Sequence, residues 1–348
     1  MRFVMCISVL LYHLNIEYDL PEKMFGRWFS FFGNGRNGVE FFFIVSGFLM
    51  AKSAFKRRGD GVPVGKSTVL FLWGKIKRLF PPHIIVVLLT AAYIIMFYRN
   101  PVLALVSRLA SVLFLQNTGV GLGSFIGVEW YISSMLIAMA IIYPLLRANY
   151  DVTARAVAPI GSLLIMGYLI QTYACLPNST RINGLTYSSN LRAIGVMLLG
   201  VCAFEASRLI KSRKLLENHK VSMIALENLC YIIFIYYICS NFSTKYNAIA
   251  AMFCACAVAI TFSREDMKLY NNKLIYLLGE LALPVYLVQN IVRKIVLDYV
   301  DVGDVRKYKM VLFTTALCLA SGVAVHYTVR LYYLIKTKVQ KSKAAKQA

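Results

Sequence analysis

Arg2 and His13 are two ionisable side chains inside the first apolar segment of the chain, MRFVMCISVLLYHLNIEYDL. Ionisable groups are costly inside a segment that crosses a membrane, and they usually mark functional sites. The two residues are eleven positions apart, which corresponds to about three helical turns and ~16 Å along a helix. We therefore predict that both side chains lie on one helix face, with Arg2 at the membrane surface and His13 at or beyond the middle of the bilayer.

His13 is a candidate general base, because an imidazole exchanges a proton near neutral pH. Glu40 lies in the next apolar segment, GVEFFFIVSGFLMA, and antiparallel helices would bring it to a similar depth. A carboxylate beside an imidazole fixes its tautomer and raises its basicity. Structural alternatives are that Arg2 snorkels to lipid headgroups, that His13 bonds another helix, and that Glu40 caps its own helix.

Three cations, Lys75, Lys77 and Arg78, precede the proline pair of WGKIKRLFPPH at 73–83. At the same membrane surface as Arg2, they could hold phosphate groups. The alternative is the ordinary excess of cations in the cytoplasmic loops of membrane proteins.

Other polar residues lie at or inside later apolar segments. Glu129 and Trp130 begin the segment EWYISSMLIAMAIIYPLL, where an interfacial anchor is the default interpretation, and Arg192 lies in LRAIGVMLLG. Such groups usually face a bundle interior or a cavity. A further group lies in or near a segment that we expect a proline to break: Glu280, Tyr286, Gln289 and Asn290, around Pro284.

The composition is that of an integral membrane protein. Of 348 residues, 59% are hydrophobic and the mean hydropathy is +0.62, whereas soluble domains are nearer ~45–50% apolar. The net charge of +22 does not indicate nucleic-acid binding, because the cations cluster in short loops and no nucleic-acid module accompanies them. The eight cysteines have no metal-like spacing, so we expect no metal site.

Ten apolar segments approach the ~20 residues of a spanning helix, which predicts an all-α polytopic bundle. They are 2–18, 38–55, 79–98, 129–147, 156–174, 191–209, 221–240, 246–263, 274–293 and 310–333. An eleventh segment, 102–117, is shorter and contains Arg108, so we predict that it is re-entrant or interfacial.

Ten crossings place the most basic segments, 52–78 and 208–220, on one side of the membrane together with the C-terminal tail. The excess of cations makes that side cytoplasmic, so both termini are predicted to be cytoplasmic. The chain then divides into a membrane domain, 1–335, and a basic cytoplasmic tail, 336–348.

Taken in order along the chain, these features resemble the acyltransferase-three family, the integral-membrane O-acyltransferases that modify bacterial surface glycans. The resemblance rests on Arg2 with His13, GVEFFFIVSGFL at 38–49, the basic stretch before RLFPP, EWYIS at 129–133, LRAIG and LLG within 191–200, and LGELALPVYL at 278–287. Each motif is weak alone, but the ordered series covers most of the chain.

The resemblance implies transfer of an acyl group from acyl-CoA, by default acetyl-CoA, to a hydroxyl of a surface polysaccharide or its lipid-linked precursor. It implies catalytic roles for His13 and Glu40. The implied donor-binding residues are Arg2, Lys75, Lys77 and Arg78. The implied acceptor-binding residues are Glu129, Trp130 and Arg192.

The expected location is the inner (plasma) membrane, and the expected partners are the glycan acceptor, membrane lipid and glycan-assembly proteins. Capsule, O-antigen and exopolysaccharide are the favoured acceptors. Three alternatives stay open: a transporter or flippase of lipid-linked glycan, a glycan polymerase, and a structural membrane scaffold.

Overall fold

A computed structural model describes residues 1–20, 30–120, 123–177, 182–184, 186–264, 272–300 and 307–347. The helices in this part of the chain are α1 Arg2–Glu17, α2 Gly38–Lys56, α3 Val64–Phe97, α4 Pro101–Val106, α5 Leu109–Val112, α6 Trp130–Ala148, α7 Tyr150–Val152, α8 Ala158–Tyr173, α9 Ser188–Ser212, α10 Leu215–Asn218, α11 Lys220–Ile238, α12 Asn247–Thr261, α13 Lys273–Tyr299 and α14 Lys307–Gln347. A π-helical turn, Thr153–Val157, joins α7 to α8. One small antiparallel hairpin pairs β1 Ile182–Asn183 with β2 Thr186–Tyr187.

Among the described residues, nine helical segments are long and apolar enough to cross a membrane. The first helix, α1, has 16 residues and is shorter than these nine, but it packs against α2 and α13 and buries Met5, Leu10 and Leu14. The predicted all-α polytopic bundle is confirmed. The cytoplasmic orientation of the termini stays a prediction.

The third helix differs from the prediction. We expected 52–78 to be a loop, but α3 begins at Val64 and continues through Pro81 and Pro82 as one helix of 34 residues. The cations before the prolines therefore lie on a helix surface and not in a loop. Lys, Arg, Leu and Ile all tolerate helix well, and membrane helices accommodate proline because neighbouring groups satisfy the freed carbonyls.

Pro284 likewise lies inside α13, which is a single helix of 27 residues. The expected break at this proline was therefore wrong. The segment 102–117 contains the short helices α4 and α5, of six and four residues, and neither can span a bilayer. Its re-entrant or interfacial position stays a prediction.

The two ends of the bundle differ in charge. The end that holds the first turn of α1, the α2–α3 loop and the α9–α11 connection is called the basic end below. Here Arg147 pairs with Asp60 at 2.5 Å and Arg58 pairs with Asp151 at 2.5 Å. The hydrogen bond from Arg147 lowers the pKa of the Asp60 carboxyl in this loop.

The opposite end holds the last turn of α1 and the first turns of α2, α6 and α9. The side-chain amide of Asn34, just before α2, donates to the carbonyls of Ser240 and Phe242 after α11, at 3.1 and 3.0 Å. These bonds fix the start of α2 against its neighbour.

The centre of the bundle is the contact between α2 and α9. A Cβ on Gly47 would lie 2.1 Å from the Met197 carbonyl oxygen, and one on Gly200 would lie 2.2 Å from that of Ile44. Only glycine permits such a close approach of two helix backbones. This approach sets the rotation of α2 and α9, and thereby the side chains that face each other nearer the opposite end.

Candidate active site

The first helix carries Arg2 in its first turn and His13 in its last third. Because α1 is unbroken from Arg2 to Glu17, the spacing of eleven residues places both side chains on one face. Arg2 is exposed and His13 is half-buried. The imidazole of His13 contacts the Tyr12 ring edge-on at 5.5 Å, and it lies within electrostatic range of Arg293 on α13.

The basic end brings together three of the four predicted donor-binding residues. The charges of Arg2 and Arg78 both act on the Lys75 ammonium group. Lys75 and Arg78 share a face of α3 because they are three residues apart. We call Arg2, Lys75 and Arg78 the basic cluster, and no carboxylate of the described residues forms an ion pair with any of the three.

Lys77 does not join this cluster. It lies on another side of α3, exposed, with its ammonium group 5.3 Å from the centre of the Trp73 ring. Its predicted contact with the donor stays a prediction.

Glu40 and Arg192 form a buried ion pair between α2 and α9. Arg192 donates from Nε at 2.9 Å and from Nη2 at 2.6 Å to Oε1 of Glu40, and both side chains are 1% exposed. The guanidinium also lies 5.5 Å from the centre of the Trp130 ring. The structure thus joins one residue predicted as catalytic to two predicted as acceptor-binding, and no hydrogen bond links Glu40 to His13. The orienting role of Glu40 toward His13 stays a prediction.

Glu129 is buried at the first turn of α6 and holds the preceding loop. Its Oε1 accepts a hydrogen bond from the Ser124 hydroxyl and one from the Ile126 backbone N–H at 3.1 Å. The Ser124 oxygen in turn accepts from the Gly127 N–H at 2.6 Å. Oε2 of Glu129 is buried without a partner in the described part of the chain. The carboxylate therefore shapes a loop, 124–127, that faces a cavity.

That cavity has a volume of about 340 Å³ and opens at the end of the bundle opposite the basic end. We call it the end cavity, and its polar lining includes Glu17, Tyr98, Arg108, Arg293 and Lys294. Arg293 connects it to the face of α1, because its guanidinium bonds Glu17, one helical turn after His13, and lies within electrostatic range of His13 itself. A volume of this size suits a small-molecule group such as one sugar unit.

A buried network of amides and hydroxyls stands beside the ion pair. The Asn117 side chain donates to the Ser134 hydroxyl at 2.7 Å, Ser134 donates to Asn190 Oδ1 at 2.8 Å, and the Asn190 amide returns to the Asn117 carbonyl at 2.8 Å. The network ties α6 and α9 to the segment after α5. The Asn117 amide also donates to the Trp130 carbonyl at 3.0 Å, and Asn190 lies two residues before Arg192, so the network helps to position both residues.

Sequence reasoning missed Arg293 and Glu17. Both had a detectable signal, since Arg293 is a charge inside an apolar segment and Glu17 is four residues after His13, hence on the same helix face. Their pairing across α1 and α13 required the packing of the bundle. In the described residues, no group of three or more histidine, cysteine or acidic side chains could hold a metal ion.

The long apolar helices of the described residues, with polar side chains buried between them, define a multi-pass membrane protein. The model of the acyltransferase-three family, described as an acyltransferase domain, matches residues 1–327. The chain therefore belongs to this family and is a membrane acyltransferase. No curated protein and no solved structure matches it.

Proposed function

We propose that this acyltransferase is an O-acetyltransferase of the inner membrane. It would move an acetyl group from acetyl-CoA to a hydroxyl of a surface polysaccharide or of its lipid-linked precursor. The observation that carries the proposal is α1, which joins the basic cluster at one end to His13 and, through Arg293, to the end cavity.

The basic cluster is the proposed binding site for the acyl donor. Coenzyme A is a polyanion, and Arg and Lys side chains hold phosphates through charge-assisted hydrogen bonds. The absence of a carboxylate paired with Arg2, Lys75 or Arg78 in the described residues supports this assignment, because their charges stay available to a ligand. With the phosphates held there, the thioester arm would extend along the face of α1 toward His13.

His13 is the proposed catalytic residue. It would take the proton of the acceptor hydroxyl while that oxygen attacks the thioester carbonyl carbon. The carbon–sulfur bond then breaks, and the leaving thiolate takes the proton from the imidazolium. In an alternative course, His13 itself accepts the acetyl group and passes it to the hydroxyl, so both courses require the same residue.

The Glu40–Arg192 pair and Trp130 form the proposed wall on the acceptor side, and Glu129 positions loop 124–127. Glu40 acts in this arrangement through Arg192, which makes it a positioning residue. The acceptor glycan enters at the opposite end, where glycan-assembly proteins would deliver it.

The test is transfer of label from radiolabelled acetyl-CoA into surface polysaccharide by membranes that hold equal amounts of each variant. His13→Ala is expected to lower the rate by ~10²-fold or more, since general bases contribute about that factor. His219→Ala is the matched control, because His219 is an exposed histidine at the basic end that precedes α11 and does not belong to α1. Equal labelling by the wild type and His13→Ala would overturn the assignment of His13. No labelling by any form would overturn acetyl transfer to this acceptor.

A further inference from the structure

The end cavity has an unusual balance of charge for a site that would receive a neutral sugar. Three cations and one carboxylate line it: Arg108, Arg293, Lys294 and Glu17. The carboxylate is already engaged, since Glu17 pairs with Arg293. The charges of Arg108 and Lys294 are therefore left to a ligand.

Both of these cations contact the same aromatic ring. Lys294 donates to the Tyr98 hydroxyl at 2.6 Å and lies 4.4 Å from the ring centre. The Arg108 guanidinium lies 5.8 Å from that centre, and its Nε and Nη1 donate to the carbonyls of Ser124 and Ala104 at 3.1 and 2.6 Å. These neutral partners hold the two cations in place without cancelling their charge.

A further carboxylate on α13, Asp298, forms no ion pair with Lys294 in the described part of the chain. It is exposed one turn later on α13 and accepts a hydrogen bond from the Tyr93 hydroxyl. Among the described residues, neither Arg108 nor Lys294 forms an ion pair. Two cations near each other repel, and an anion bound between them would relieve that repulsion.

We propose that the end cavity binds an anionic group of the acceptor glycan through Arg108 and Lys294, with Tyr98 between them. The anion is either a carboxylate of an acidic sugar or a phosphate that links the glycan to its lipid carrier, because both present oxygens to the same cations. This inference rests on the proposed function, since it names the chemical class of its acceptor.

The position of the end cavity suggests how a bound anionic group would orient the acceptor. Arg293, next to Lys294 in the chain, bonds Glu17 and lies within electrostatic range of the His13 imidazole, so an acceptor anchored at Lys294 would extend past Arg293 toward His13. Anchoring one end of a sugar restricts the hydroxyls that can reach the base, which sets the position of acylation. Arg108 and Lys294 would thus determine specificity for the acceptor.

The experiment measures ligand-induced thermal stabilisation of the full-length protein in lipid nanodiscs. The probes are methyl glucuronide, which carries a carboxylate, glucose 1-phosphate, which carries a phosphate, and methyl glucoside, which is neutral. A ligand that binds only the folded state raises the melting temperature of the protein, and at a fixed ligand concentration the rise is larger for tighter binding. Preference for the glucuronide identifies an acidic sugar as the source of the anion, and preference for the phosphate identifies the lipid linkage.

At least one anionic probe is expected to stabilise the wild type more than methyl glucoside does. Lys294→Gln and Arg108→Gln should each weaken its binding about tenfold or more, as expected for a lost charge-assisted hydrogen bond. Lys294→Arg should retain binding. The matched control is Lys245→Gln, since Lys245 is an exposed lysine at the same end and outside the cavity.

Equal stabilisation by neutral and anionic probes, or unchanged binding in Lys294→Gln and Arg108→Gln, would overturn the inference. The unliganded melting temperature of each variant separates lost binding from lost folding. Because the readout needs no acetyl transfer, it can fail while labelling through His13 succeeds, and labelling can fail while the cavity still binds the anion.

Discussion

Arg192 is the largest fully buried side chain in the described part of the protein, and its charge is matched by a single carboxylate oxygen of Glu40. A buried pair of this kind gains little net stability, because the loss of water offsets much of the attraction. Removing one partner lowers stability strongly, since the other charge is then left buried and unpaired. The pair therefore makes the α2–α9 contact sensitive to substitution at either residue.

We expect Arg192→Met to destabilise the protein by about 3–5 kcal/mol, because it strands the Glu40 carboxylate. Glu40→Gln combined with Arg192→Met should cost less than the sum of the two single changes. The measurement is thermal or denaturant unfolding in detergent micelles. Strictly additive losses would contradict the coupling of these two residues.

At the residue scale, the sequence predicts that Glu40, Glu129 and Arg192 are polar groups in the bundle interior, but it does not predict which side chains they contact. Glu40 was expected near His13 because the two residues reach similar depths in antiparallel helices. In the structure Glu40 bonds Arg192, a partner that follows from the rotation of α2 against α9 at Gly47 and Gly200, and its orienting role toward His13 stays a prediction. The depth of a side chain in the membrane follows from its position in the apolar segment. The rotation of a helix about its axis depends on contacts with residues far away in the sequence.

At the scale of elements, α2 and α9 are the pair on which the site depends. Gly47 and Gly200 let their backbones touch, and Glu40 and Arg192 meet closer to the opposite end along the same pair of helices. Small residues facing a neighbouring helix are the usual means of such close packing in membranes.

Gly47→Ala is expected to lower stability by about 1–3 kcal/mol, because its Cβ would overlap the Met197 carbonyl. It should also reduce acetyl transfer, since the helices must separate. Gly167→Ala in α8 is the control, because nothing lies within 4 Å of the added Cβ and helix propensity favours alanine. Unfolding midpoints of the two variants provide the comparison. A Gly47→Ala protein as stable as Gly167→Ala would contradict the role given to this contact.

The third helix shows why a basic segment can be misread. Its cations and prolines indicated a loop ending at the membrane surface, but α3 is helical from Val64 onward. Lysine, arginine and leucine are good helix formers, so the charges at 66–78 do not interrupt the helix. Helical geometry then separates Lys77 from Lys75 and Arg78, a distinction that a loop would not make.

Lys75→Gln and Arg78→Gln are each expected to raise the KM for acetyl-CoA about tenfold, with a smaller effect on kcat, because each removes a charge that holds phosphate. Lys77→Gln should raise the KM for acetyl-CoA less than either of these changes. Lys66→Gln is the control, since Lys66 is exposed on the same helix and outside the basic cluster. The measurement is initial rate against donor concentration. An unchanged KM in both Lys75→Gln and Arg78→Gln would remove the donor-binding role of the cluster.

At the scale of the whole molecule, the two regions to which we assign donor and acceptor lie at opposite ends of the bundle. The basic cluster occupies one end and the end cavity the other, and α1 runs between them. The class of fold and the division between basic and mixed ends could be predicted from hydropathy and charge. The end cavity could not, because its lining comes from α1, α3, the segments after α3 and α13, which only packing brings together.

This arrangement predicts that the reaction is vectorial, with the donor bound at the cytoplasmic face and the acceptor at the other. The most direct measurement supplies radiolabelled acetyl-CoA outside sealed vesicles of opposite orientation and follows label in the glycan. Inverted vesicles, which expose the cytoplasmic face, should transfer label with wild-type protein and lose transfer with His13→Ala. Equal transfer by right-side-out and inverted vesicles, or transfer that persists without His13, would contradict the account.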